Sequence, residues 1–193
     1  MIYTKEQLIE YLNQDAKASK HNGITPKLFG DEIWKFQYCL RYCNYYYNKR
    51  KKHKTVFFPF LLWRIRYHHL STKLGFTIPF STKIGKGFSI AHYGSLVING
   101  TTVIGENCRI HEGVCIGSTN GKKGAAVIGN NVFIATGAKI IGHITIADNV
   151  AIGANAVVVK DIDIPGTTWG GVPARMISQN DSHSNLSNML DMN

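Results

Sequence analysis

From Ile128 the chain reads IGNNVF, IATGAK, IIGHIT, IADNVA, IGANAV, VVKDID and IPGTTW, seven consecutive blocks of six, each opening on Ile or Val. The same register runs backwards through Ile116, Ile110, Ile104 and Ile98, with one blank at Lys122 inside the polar stretch 117–126. Two further blocks, at Ile84 and Ile90, stand two residues out of step. The fifth places are small or apolar, as in Thr102, Cys108, Val114, Val132, Ala138 and Ile144. A period of six fits neither an amphipathic helix nor a two-sided strand. It fits short strands that turn after each block and stack coil on coil, which is a parallel β-helix. A β-sandwich would need strands and turns of uneven length.

Before the repeats the apolar spacing is helical. Thr4 and Gln7 form a capping-box pattern ahead of Leu8, Ile9, Tyr11 and Leu12, which predicts a helix over about 5–20 closed by Asn22 and Gly23. Asp31 is placed to cap a second helix to about Lys49, whose stripe of Ile33, Trp34, Tyr38 and Tyr42 reads as core or interface. Pro59 suits the first turn of a third, carrying Leu62, Ile65, His69 and Leu70 to a stop at Gly75. The chain therefore divides into a helical region 1–75, a repeat domain 76–177 and a polar tail 178–193, expected to be mobile and without function.

Charge changes the picture at one place. Of the formal +10, nearly all is amino-terminal: residues 1–75 hold 14 Lys and Arg against 5 Asp and Glu, residues 76–193 hold 8 against 7. KRKKHK at 49–54 runs straight into VFFPFLLW at 56–63. Most such runs are solvated loops, but basic residues beside an aromatic, apolar octet also suit peripheral contact with an anionic membrane. No nucleic-acid module accompanies the charge, so nucleic acid is not an expected partner. Cys39, Cys43, Cys108 and Cys115 show no disulfide or metal framework and read as free thiols of a reducing compartment. With neither a signal-peptide pattern nor a membrane-spanning run, the expected location is the cytoplasm, with the inner membrane face as the place where residues 49–63 would act.

The hexads, the stretch IGKGFSIAHYGSLVING and the ending GGVPARMI resemble the hexapeptide-repeat acyltransferases over about residues 76–177. Within them the likeness is to the serine acetyltransferase branch and its polysaccharide O-acetyltransferase relatives. That resemblance implies a mainly β protein, a left-handed parallel β-helix with three hexads per coil behind the helical amino-terminal region. It further implies acetyl-CoA as acetyl donor and a homotrimer with composite sites between neighbouring β-helices.

Inward residues of a β-helix are committed to packing, so chemistry must use outward places. Counting hexads sets Ile110 one coil beyond Ile90, which stacks His92 beside Glu112 and His111 beside Ala91. A neutral imidazole takes a proton from a hydroxyl near pH 7, and a carboxylate fixes its tautomer. The match of IAHYG to the family's catalytic histidine implies that His92 is the general base; stacking alone offers Glu112 as its carboxylate and sets Tyr93 and His111 at the acceptor. For the donor, Gly117, Ala135 and Gly153 are expected to stack in successive coils, with Thr119, Thr136 and Ala154 beside them and the stretch 118–126 as a loop over the groove. Lys160 and Arg175 are the expected phosphate partners, with Lys122 and Lys123 as competitors. His92, His111 and His143 lack the spacing of γ-class carbonic anhydrase ligands, so no metal is expected.

Two places depart from the serine acetyltransferase pattern: Thr77 stands where an Asp pairs with the catalytic histidine, and Ala125 and Ala126 occupy the segment of a second, serine-contacting histidine. The expected acceptor is therefore a sugar hydroxyl in surface-polysaccharide biosynthesis. Serine O-acetylation in cysteine biosynthesis and a non-catalytic scaffold are the rivals.

Overall fold

The computed structural model describes residues 1–50, 54–119 and 124–190. Its helices are α1 (Lys5–Ala18), α2 (Glu32–Arg50) and α3 (Phe57–Leu74), with a 3-10 turn at Lys54–Val56 before α3 and a last helix, α4 (His183–Leu190). The capping box of α1 is formed: Thr4 accepts from the Gln7 amide while the Gln7 side chain reaches back. The helix ends earlier than Asn22, at Ala18, because Lys20 turns left-handed (φ 53) and His21 N–H returns to the Ala16 carbonyl. Asp31 precedes α2 but does not cap it with its side chain. It too is left-handed (φ 59), and its carboxylate turns to His21 Nε2 at 3.0 Å. Gly75 closes α3 at φ 73, as a left-handed C-cap requires.

From Phe76 the chain winds into three parallel faces of two- and three-residue strands. The first face stacks Phe76–Thr77, Leu96–Ile98, Cys115–Gly117, Lys139–Ile141 and Val157–Val158. The second carries the strands opening at Lys83, Val103, Val127 and Thr145, and the third those opening at Ser89, Arg109, Phe133, Ala151 and Thr168. The first-place isoleucines of successive coils face one another inside: Ile84, Ile104, Ile128 and Ile146 on one face, Ile90, Ile110, Ile134 and Ile152 on another, all buried. Each such side chain stabilises the stack by about 1.5–3 kcal/mol.

Both irregularities of the hexad count are extra residues at corners. Ile110 lies 20 residues above Ile90 because the corner Tyr93–Gly94–Ser95 is two residues longer than the regular turn. Ile134 lies 24 above Ile110, and Ile140 lies 24 above Ile116, because the stretch after Gly117 adds a whole block. At the regular corners the turn after each first-place Ile needs a left-handed residue, supplied by Gly87, Asn107, Asn131 and Asn149. Their side chains form a ladder, Asn107 to Asn131 and Asn131 to Asn149, each at 2.9 Å.

The open end of a β-helix leaves backbone donors and acceptors bare, the same liability as any sheet edge. The helices cover it. Arg41 donates to the carbonyls of Ile84 (2.8 Å) and Gly85 (2.6 Å) and pairs with buried Asp15 at 2.6 Å. Asp15 in turn accepts from the Phe88 amide, and Gln37 imitates a strand by donating to Phe88 O and accepting from Ile90 N. Phe36, Cys39, Leu40 and Tyr67 continue the same core as the inward isoleucines. The amino-terminal helices thus pack on their own β-helix, and the aromatic stripe of α2 is interface between helices, with Tyr42 stacked on Trp63 at 4.2 Å.

The carboxy-terminal segment also departs from expectation. Thr168–Gly170 and Arg175–Ser178 form an antiparallel hairpin on the last coil. Beyond it the tail is anchored: Ser182 is buried and donates its amide to Asn149 O, Leu186 is fully buried, and α4 lies against α1. A serine and one leucine are enough to dock this polar segment on the asparagine corner, a signal too sparse for a periodicity reading.

Candidate active site

The third face and the corner after it assemble the chemistry. The pairing of Ile90 with Ile110, and of Ile110 with Ile134, sets His92, Glu112 and Thr136 in one column and Ala91, His111 and Ala135 in the next. Ligand-type atoms of His92, His111 and Glu112 all lie within 4.8 Å of one another. The rings of His92 and His111 meet edge to face at 5.2 Å, and His111 rests in turn on the Phe133 ring at 5.1 Å. His92 is exposed, while His111 and Glu112 are half-buried. Tyr93, on the longer corner beside them, is 58 % exposed and open to solvent.

Gly94 explains how the corner passes Glu112 at all. A Cβ there would stand 3.2 Å from the Glu112 Cβ, and its φ of 132 suits only glycine. Thr136 donates its hydroxyl to Glu112 Oε1 at 2.8 Å, whereas Oε2 is buried with no hydrogen-bond partner among the described residues. One oxygen is thus fixed by Thr136 and the other is held out of solvent beside the imidazoles. The Glu112 backbone N–H and the Thr136 hydroxyl, helped by the two nearby imidazoles, hold this carboxyl below its ordinary value, so it is ionised at neutral pH. Burial, then Arg109 and His92, push His111 below the ordinary histidine value, so it stays neutral there. The cluster offers an exposed imidazole, an anchored carboxylate and a neutral second imidazole, the parts of a general-base site.

The other expected residues separate into two groups. Ala135 and Gly153 share the third face with His111, and Thr136 and Ala154 continue the His92 column, so this wall is small-sided as a backbone-reading groove requires. Thr136 is already engaged with Glu112. Gly117 does not stack with them: it lies on the first face opposite Ile141, because the extra block before Ala126 displaces the register by one full face. Thr119 is exposed at the mouth of that stretch, close to Gly142. Lys122 and Lys123 lie outside the described residues. Lys160 and Arg175 line one cleft at the far end of the β-helix together with Val159, Trp169 and Met176. Trp169 and Met176 went unnoticed in the sequence because their blocks lie where the hexad pattern fades into the hairpin. His143 is apart from the histidine pair, with Nδ1 3.2 Å from Ala125 O. Thr77 is on the first face opposite Val97, and Ala125 and Ala126 are buried.

Comparison with known proteins bears on the fold that carries these residues. Residues 125–160 match the family described as bacterial transferase hexapeptide (six repeats). A serine acetyltransferase of Staphylococcus epidermidis is 43% identical over 107 residues, 54% of this chain and 50% of the relative. Over its repeats the chain resembles the hexapeptide-repeat transferases, in their serine acetyltransferase branch. Among solved structures of that branch, serine acetyltransferase from Neisseria gonorrhoeae superposes with a TM-score of 0.74 at 25% identity, covering 98% of this chain and 73% of that one. The same enzyme crystallised with serine gives 0.71 at 26% identity, covering 90% and 70%. The likeness reaches the amino-terminal helices as well as the coils. The chain spans about half the length of the curated relatives it matches.

Proposed function

We propose that this protein transfers an acetyl group from acetyl-CoA to a hydroxyl of a small acceptor, with His92 as general base. The observation that carries the reading is the His92, Glu112 and His111 cluster on the outward side of a hexapeptide coil, in a chain whose curated relatives are serine acetyltransferases. Serine is accordingly the first acceptor to test. The expectation of a polysaccharide sugar gives way to it as the leading reading, since each of the relatives compared above is a serine acetyltransferase. A sugar hydroxyl remains the second reading on a specific observation: Thr77 carries no charge, and the segment of the second histidine is filled by buried Ala125 and Ala126.

In the reaction His92 takes the acceptor O–H proton as the oxygen forms its bond to the thioester carbonyl carbon. Glu112, fixed by Thr136, stabilises the imidazolium. Collapse breaks the carbon–sulfur bond, and the proton returns from His92 to the leaving sulfur, giving the O-acetyl product and free CoA. His111, neutral and beside His92, is placed to donate a hydrogen bond to the acceptor. The small-sided wall at Ala135, Gly153 and Ala154 fits a pantetheine arm, and Lys160 and Arg175 in the end cleft fit phosphates, with Trp169 as a face for the base. Such a wall is one side of a groove, and a neighbouring β-helix of a homotrimer would supply the other. An acetyl-CoA donor places the reaction in the cytoplasm.

The test is release of free thiol from acetyl-CoA by wild type and His92→Ala with serine, simple sugars and nucleotide sugars. Turnover on serine that disappears in the variant supports the first reading, and turnover confined to a sugar supports the second. Acetyl-CoA binding unaffected by any acceptor, with equal thiol release from wild type and variant, would overturn both.

A further inference from the structure

Between Glu32 and Glu106 the chain has no Asp or Glu and twelve Lys and Arg. The middle of that acid-free stretch is α3, which has two different apolar faces. Phe60, Tyr67, Leu70 and Leu74 are buried against the rest of the protein. On the opposite side Phe57 (51 %), Phe58 (75 %), Leu62 (69 %) and Ile65 (60 %) are exposed. Phe58, Leu62 and Ile65, at spacings of four and three, form a single stripe rather than scattered surface hydrophobes, with Phe57 at its flank. Two apolar grooves run along its flanks, with Ile65 common to both, Arg64 lining one and Arg66 the other. Arg50 lies over the Phe60 ring at 4.6 Å, at the amino-terminal end of α3.

We infer that the outer face of α3 is a docking surface for an anionic lipid bilayer, lying in the headgroup plane with Phe58, Leu62 and Ile65 inserted. Charge selects this occupant. A second copy seated on the same face would bring Arg64 and Arg66 against their own equivalents with no acidic residue of the stretch to offset them. An anionic headgroup layer complements both the cations and the apolar stripe between them. No helix among the described residues is long and apolar enough to cross a membrane, so the contact is peripheral. Such docking would bring the acceptor site to a surface where lipid-attached hydroxyl compounds lie, and it does not depend on which acceptor is used.

The experiment is flotation of the full chain with vesicles of phosphatidylcholine alone and of phosphatidylcholine mixed with phosphatidylglycerol, at low and high salt, with oligomeric mass measured in parallel. Wild type is expected to float with the anionic vesicles only and to be released by salt. Arg64→Gln with Arg66→Gln should weaken binding by about 30-fold, at about fivefold per cation. Phe58→Glu with Leu62→Glu should abolish it while leaving oligomeric mass and turnover of a soluble acceptor unchanged, since neither residue belongs to the site or the core. Equal binding to both vesicle types, binding undisturbed by the Phe58 and Leu62 changes, or a loss of oligomeric mass on making them would overturn the proposal. Failure of the transfer reaction would not, because vesicle binding is read without turnover.

Discussion

Glu112→Gln removes one charge and keeps the shape, because the amide oxygen can still accept from Thr136 as Oε1 does. What it loses is the attraction between the carboxylate and the imidazolium that forms at His92 during proton transfer. With the two groups within 4.8 Å, that attraction is about 3.5 kcal/mol at an effective dielectric of ~20 and about 0.9 kcal/mol in water. His92 is exposed and Glu112 half-buried, so the site lies between these limits, and they bracket a rate loss of about 5-fold to about 400-fold. A fall in kcat of about 30-fold is expected, with the KM for acetyl-CoA little changed because the wall that fits it is untouched. Steady-state thiol release at saturating acceptor measures this, and the thermal midpoint of the variant serves as the control for folding. A kcat within about twofold of wild type in a normally folded variant would refute the pairing of His92 with Glu112.

Two further outcomes follow from the same geometry. Arg41→Met leaves Asp15 buried without its cation and bares the carbonyls of Ile84 and Gly85; a loss of about 3–5 kcal/mol is expected, read as a fall in thermal midpoint of roughly 6–20 °C, and adding Asp15→Leu should restore only part of it, since the backbone groups stay unsatisfied. His111 has its value lowered in the folded protein, so as pH falls through the ordinary histidine value of 6.5 the unfolded chain takes up the proton first and stability declines. His111→Gln should show a shallower decline over that window in urea midpoints measured from neutral to mildly acidic pH, and an unchanged slope would count against the lowered value.

The parallel β-helix was legible because its physics is local and repeated. Every inward place asks for a branched or small apolar side chain, so Ile98 to Ile152 announce the coil one block at a time. The stacking of His92 on Glu112 was legible for the same reason, since no extra block lies between Ile98 and Ile110. Where the count is broken the sequence lost the thread: the additional block after Gly117 moved that residue to another face, and no periodicity tells on which side of a blank the register resumes. Side-chain hydrogen bonds to distant backbone were likewise out of reach. Gln37, Arg41 and Asp15 look like ordinary polar residues of helices until the open first coil is set against them, and only then do its bare carbonyls and amides give each its partner. Asp31 reads as a cap and instead meets His21, and Ser182 and Leu186 read as tail and instead dock. The chain alone determined which residues turn inward and how the coils repeat, because those preferences are satisfied between near neighbours. The tertiary structure decided which outward residues share a face and what covers the ends, because those contacts join places that the periodicity does not relate.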